Sequence, residues 1–234
     1  MNIFDIQNDI FQSKGKFVFS KSFIPERILH RESEMQQIAS GIGYLLDGGD
    51  ASSQIIYGKR GTGKTLIARH VTEQLVAKSN QDEETKNQIR VIHISLKNCR
   101  TEYSVAQAMQ QKLGSKSIAG IGFHQGLHEI FKFVEQQIPE KYIIFILDEI
   151  NEVKEPDVLL HCLLRYNEVY GEINKQIIYI FITNDSNFPY NLSPGTKSSF
   201  AAVTKRVFPP YDAIQLKNIL CERMQKGLRP NVCS

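Results

Sequence analysis

One octapeptide constrains this chain more than anything else in it. Gly58-Lys59-Arg60-Gly61-Thr62-Gly63-Lys64-Thr65 has the form GxxxxGK[ST]. The short apolar run Gln54–Tyr57 precedes it, and Lys64–Ala77 follows with Leu66, Ile67, Val71, Leu75 and Val76 at helical spacing. Strand, glycine loop and helix thus arrive in the order that a phosphate-binding loop requires. The glycines let successive N–H groups point at one anion, and the unpaired N–H groups and dipole of the first helical turn add to the attraction. Lys64 would set a positive charge on the β- and γ-phosphates, and the Thr65 hydroxyl is a Mg²⁺ ligand in such a loop.

A strand–loop–helix start implies more of the same alternation. Ile89–Leu96, Lys141–Leu147, Gln176–Thr183 and Lys205–Phe208 read as further strands. Tyr103–Leu113, Gly126–Gln137, Asp157–Val169 and Ala213–Lys226 read as helices, with Asp212 as cap of the last. The continuous apolar runs of the middle strands suit burial on both faces. The expected class is α/β, with five mostly parallel strands and helices on both faces. In such a sheet the ligand sits at the carboxyl ends of the strands.

Two strand ends carry matching chemistry. Ile143-Ile144-Phe145-Ile146-Leu147 closes on Asp148-Glu149. Asp148 can hold the Mg²⁺ shell, and Glu149 can polarise a water for attack on the γ-phosphate. Ile180-Phe181-Ile182-Thr183 ends on Asn184-Asp185. Asn184 is either a ligand of that water or phosphate or, equally in keeping with Asn-Asp chemistry, part of a turn. No NKxD-like guanine reader is present, so adenine is the expected base. The expected nucleotide set is Gly58, Lys59, Arg60, Gly61, Thr62, Gly63, Lys64, Thr65, Leu66 and Asp148. Within it Thr65 and Asp148 hold the metal; Glu149, Lys64 and Asn184 are catalytic; ATP or ADP with Mg²⁺ is the cofactor.

Composition excludes other classes. With 41% hydrophobic and 23% charged residues, the chain has enough apolar surface to order itself. No apolar run approaches the ~20 residues of a membrane span. The N-terminus carries Asp5 and Asp9 and shows no signal peptide. The four cysteines, Cys99, Cys162, Cys221 and Cys233, include no CxxC pair, so a reducing cytoplasm is the simplest setting. His124 and His128 share a helix face with no cysteine or carboxylate in sequence to complete a metal set, and read as surface or core histidines. Arg69 and His70 are expected to face solvent. The net charge is only +3. Yet from Lys197 onward Lys197, Lys205, Arg206, Lys217, Arg223, Lys226 and Arg229 outnumber Asp212 and Glu222, and such a basic end suits either nucleic acid or plain solvation.

The order of phosphate loop, Leu-Asp-Glu strand and Asn-tipped strand resembles an AAA+ ATPase. More narrowly, the chain is similar to the archaeal replication initiators related to the origin recognition complex large subunit and to the cell division control protein 6 type. The cues are Phe23–Glu32 before the first helix, Asn98-Cys99-Arg100 with Thr101 and Tyr103, Leu163-Leu164-Arg165 with Asn167, and Phe208-Pro209-Pro210-Tyr211-Asp212 followed by Gln215-Leu216 and Glu222-Arg223. The resemblance runs from about Ile10 to Arg229 and divides the chain into an N-terminal segment (1–30), an AAA+ nucleotide-binding domain (31–211) and the start of a helical lid (212–234).

The resemblance implies that Asn184 is sensor 1 and that Ile24, Arg27 and Ile28 lie against adenine and ribose. It implies origin DNA as partner, with other initiator or helicase subunits, no membrane, and a cytoplasmic or nucleoid setting. It places a DNA-approaching insertion at about Leu113–Phe123, which reads equally as an ordinary loop. Three departures stand out. Gly195 occupies the place of the arginine usually offered to a neighbour's nucleotide, and Lys197 cannot reproduce its planar fork. The remainder of the lid, with its sensor 2 arginine, and the winged helix are expected to be lacking. Asn151 replaces an acidic residue and is expected to matter little. The implied function is ATP binding and slow hydrolysis that switches DNA and partner contacts; the alternative is a non-catalytic, nucleotide-bound interaction module.

Overall fold

A computed structural model describes residues 10–20, 23–171 and 173–230, without the side chain of Val169. Asp5, Asp9 and Cys233 therefore lie outside the described residues. The chain divides into two compact units, one of residues up to Glu32 and from Tyr211 onward, the other from Ser33 to Pro210.

The larger unit holds one sheet of β1 (Gln54–Tyr57), β2 (Ile89–Ser95), β3 (Tyr142–Asp148), β4 (Gln176–Thr183) and β5 (Thr204–Val207). All pairings are parallel, in the order β2-β3-β4-β1-β5. Interior β3, between β2 and β4, is buried along its whole length, as its unbroken apolar sequence demands. Successive side chains point to opposite faces. Ile143, Phe145 and Leu147 join a core with Val105 and Met109 of α4 (Glu102–Leu113), Ile130 and Phe131 of α5 (Phe123–Gln137) and Leu159 and Leu160 of α6 (Pro156–Leu164). Ile144 and Ile146 are equally buried and face the other way. Helices α2 (Glu32–Ile42) and α3 (Lys64–Ser79) bury Ile38, Ile42, Ile67 and Ala68 fully.

The five expected strands are all present, with ends shifted by a residue at most, and the sheet is wholly parallel. The single helix expected over Asp157–Val169 is instead two. α6 ends at Arg165 (φ −118°, ψ 28°), and α7 (Tyr166–Tyr170) starts afresh. The break accompanies burial of Tyr166, whose ring lies 4.1 Å from that of Phe131. A further helix, α8 (Pro194–Phe200), escaped the periodicity because only Phe200 among its residues is a buried hydrophobe; Ser193 caps it through the Thr196 N–H. Residues 114–122 are non-helical, pinned by Ile118, which is 2% exposed and whose carbonyl accepts from the Tyr103 hydroxyl at 2.7 Å.

In the smaller unit α1 (Gly15–Val18) lies beside α9 (Ala213–Gly227). Phe11 and Leu228 form an antiparallel bridge, and a Cβ on Gly15 would collide with the Gly227 carbonyl oxygen. Asp212 caps α9 as expected, in a reciprocal box with Gln215 at 2.8 and 3.1 Å. The Arg31 guanidinium lies 3.8 Å above the Tyr211 ring.

Candidate nucleotide site

The strand order settles which loops meet. β4 lies between β3 and β1, so the tips of the latter two are not neighbours. The Asn184 end of β4 fills the gap between the glycine loop after β1 and the Asp148 end of β3. The expected Asn-Asp turn is present, with Asp185 accepting from the Asn187 N–H at 2.8 Å, and the Asn184 amide oxygen accepts from Lys64 Nζ of the loop's helix.

Two backbone positions explain the loop's glycines. A Cβ on Gly58 would come within 2.6 Å of the Phe208 carbonyl oxygen, so β5 can close against the loop only where there is no side chain. Gly63 has φ 89°, the left-handed conformation from which α3 starts. The first turn of α3 then sets Lys64 and Thr65 side by side.

Lys64 is 6% exposed. Its Nζ donates to Gly58 O (2.6 Å), Lys59 O (2.9 Å) and Asn184 Oδ1 (2.8 Å). Burial lowers its pKa below the ordinary lysine value; the Asp148 and Glu149 carboxylates oppose that shift, and the nearby Arg60 charge adds to it. The Thr65 hydroxyl donates to Asp148 Oδ2 at 2.6 Å. A hydroxyl and a carboxylate oxygen in contact form the hard oxygen donor set that suits Mg²⁺. The residues present therefore fit the metal. His93 Nε2 is 3.7 Å from the same Asp148 oxygen, buried and without a hydrogen-bond partner.

Glu149 follows with φ 63° and ψ 43°, a left-handed conformation rare for a residue with a side chain. The turn that holds it there is tied down on two sides. Asn151 Oδ1 accepts from the Thr183 hydroxyl (3.1 Å) and the Asn184 N–H (3.2 Å). Arg100 Nη1 donates to Glu152 Oε2 at 2.5 Å, and the Lys154 N–H donates to Arg100 O at 3.1 Å. Asn151, expected to be a minor departure, fastens the Glu149 turn to the Asn184 strand. Of this bracing set Asn151, Asn184 and Arg100 were singled out in the sequence, whereas Glu152 and Lys154 carried no signal of their own.

The other expected residues fall as follows. Lys59, Arg60 and Gly61 are exposed on the loop, Thr62 is buried and donates to Lys59 O at 2.9 Å, and Leu66 is half-buried on α3. Ile24, Arg27 and Ile28 belong to the smaller unit; Ile28 is buried and Arg27 exposed. Gly195 is exposed on α8. His70 corrects its expectation: it is buried, with Nε2 3.1 Å from Gln74 Nε2. His124 Nδ1 lies 2.5 Å from the Tyr170 hydroxyl and 3.7 Å from Cys162 Sγ, a cysteine that sequence spacing did not bring to it. Among the described residues no group of three His, Cys, Asp or Glu side chains is placed to hold a metal, and no helix is long and apolar enough to cross a membrane. Cys99, Cys162 and Cys221 are unpaired thiols.

Residues 48–185, from before β1 to just beyond Asn184, match the AAA domain family. The chain belongs to that family. The curated proteins it is similar to include archaeal replication proteins. The ORC1-type DNA replication protein 1 of Archaeoglobus fulgidus is 33% identical over 99% of this chain and 56% of its own length. The Aeropyrum pernix protein of the same description is 31% identical over 97% of this chain and 56% of its own. This AAA chain thus spans little more than half of the curated relatives it matches. Among solved structures, the Aeropyrum pernix ORC1 protein in complex with DNA superposes with a TM-score of 0.82 at 28% identity, over 97% of this chain and 57% of that one. Cdc6p from Pyrobaculum aerophilum shares the fold, with a TM-score of 0.78 at 22% identity over 95% of this chain and 56% of that one.

Proposed function

We propose that this AAA protein binds ATP with Mg²⁺ between the glycine loop and the ends of β3 and β4, and hydrolyses it slowly to switch contacts of a replication-initiator type. One observation carries the reading: a buried lysine, a threonine–aspartate pair and a strand-end asparagine converge at the start of one helix. The loop N–H groups and Lys64 would bind the phosphates, and Thr65 and Asp148 would hold the metal. Magnesium would neutralise charge developing on the phosphoryl oxygens. Asn184, released from Lys64, would orient the attacking water, and Glu149 would accept its proton.

DNA is the proposed partner. A relative of similar fold is known in complex with DNA, and the basic side chains from Lys197 onward supply charge for phosphate contacts.

Single-turnover hydrolysis of labelled ATP tests the enzymatic reading. Turnover abolished in Glu149→Gln supports it. Tight binding of ATP without turnover would establish instead the interaction-module reading, which the exposed glycine at position 195 favours, since no arginine there can serve a neighbour's nucleotide.

A further inference from the structure

Two arginines converge on one carboxylate at the rim of the phosphate loop. Glu152 Oε2 accepts from Arg100 Nη1 at 2.5 Å. Glu152 Oε1 lies 4.0 Å from Arg60 Nη2. The first contact is a charge-assisted hydrogen bond; the second is too long to be one. The Glu152 side chain is 18% exposed, and that of Arg60 is 78% exposed. Arg100 alone balances Glu152, so Arg60 is a surplus cation held by a weak, screened attraction.

Its position gives that surplus a direction. Arg60 is the third residue of the loop and Lys64 the seventh. Glu152 lies in the turn that carries Glu149, on the side of the site where the terminal phosphate and its attacking water belong. Arg60 is therefore drawn toward the outer end of a bound triphosphate and away from the loop's innermost N–H groups. A guanidinium offers a planar fork that matches two phosphate oxygens, which a distant glutamate cannot reward equally.

We propose that Arg60 reads the terminal phosphate: it leaves Glu152 and pairs with the γ-phosphate oxygens of ATP, so that the chain distinguishes ATP from ADP with an arginine of its own. The proposal rests on the nucleotide reading above. In the nucleotide-free chain Glu152 parks the side chain, and Arg100 keeps Glu152 compensated after Arg60 departs.

The test compares displacement of a fluorescent adenine nucleotide by Mg·ATP and by Mg·ADP in the wild-type chain, Arg60→Gln and Arg60→Lys. Arg60 is exposed, so neither variant threatens the core. Arg60→Gln is expected to weaken ATP by about tenfold or more, the scale of one charge-assisted bond, while ADP changes by less than about threefold. Arg60→Lys restores part of the difference, since a point charge replaces the fork. Equal losses for both nucleotides would reduce Arg60 to general attraction and overturn the proposal, as would no loss for either. A wild-type chain that binds neither nucleotide would overturn the nucleotide reading itself, and this proposal with it. Wild-type binding of both, with Arg60→Gln tracking it, sinks the role of Arg60 alone.

Discussion

The Lys64 ammonium and the Asn184 amide oxygen are 2.8 Å apart, although one residue opens α3 and the other follows β4. The contact couples the residue expected to grip phosphate with the residue expected to sense it. With both Gly58 O and Lys59 O also on Lys64 Nζ, the ammonium has three oxygen partners that a phosphate would have to replace. Lys64→Ala should therefore cut ATP affinity by about ten- to a hundredfold, the scale of one lost bond to a charged group. Titration of a fluorescent nucleotide measures it; unchanged affinity would remove the basis of the site.

The pH dependence of that binding has a definite sign. Burial depresses the Lys64 pKa, so the ammonium loses its proton at a lower pH than free lysine does. A polyanion favours the charged form and raises the pKa again. Binding must then take up protons on the alkaline side and weaken as pH rises. Calorimetry in two buffers of different ionisation enthalpy reads the uptake, and Lys64→Ala should abolish it.

Glu149 stores strain. Its φ of 63° is a conformation in which a side chain costs about 1–2 kcal/mol. Glu149→Gly should relieve that strain and, after the loss of chain entropy, stabilise the fold by about 0.5–1 kcal/mol while removing hydrolysis. Thermal melting and single-turnover assays together check it; a large destabilisation would show that the carboxylate itself supports the fold.

Asn151 should prove more important than its sequence context suggests. Its Oδ1 is the shared acceptor for the Thr183 hydroxyl and the Asn184 N–H. Asn151→Leu leaves both donors without that partner and should cost about 1–3 kcal/mol, with a loss of turnover. Asn151→Asp keeps an acceptor and should be tolerated. Denaturant melts of the two variants distinguish a bonding role from a packing one.

Magnesium should act through Thr65 and Asp148 together. Thr65→Val keeps the shape but loses the hydroxyl that lies 2.6 Å from Asp148 Oδ2. ATP binding by this variant should respond far less to addition of EDTA than that of the wild type. An equal response would place the metal elsewhere.

Much of this was legible in the chain itself. The GxxxxGK[ST] spacing, the apolar runs and the residues that end them are local patterns, and local sterics and burial force the same strand or helix from them in many contexts. The AAA family, the five strands and the residues Lys64, Thr65, Asp148, Glu149 and Asn184 as candidates follow from order along the chain. The break at Arg165 did not follow, because it accompanies the burial of Tyr166 against Phe131, a partner distant in sequence.

Strand order lay beyond the sequence for the same reason. Nothing in the local pattern of β4 says that it inserts between β1 and β3; that is a choice among sheet pairings made by the whole core. The insertion puts Asn184 on Lys64 and lets Asn151 fasten the Glu149 turn to the end of β4. Sequence determined which chemical groups stand at the strand ends, since hydrophobic period and glycine placement are properties of neighbours in the chain. Tertiary structure decided which of those groups touch, since hydrogen bonds and ion pairs form between atoms a few ångströms apart in space, however far apart they are in the chain.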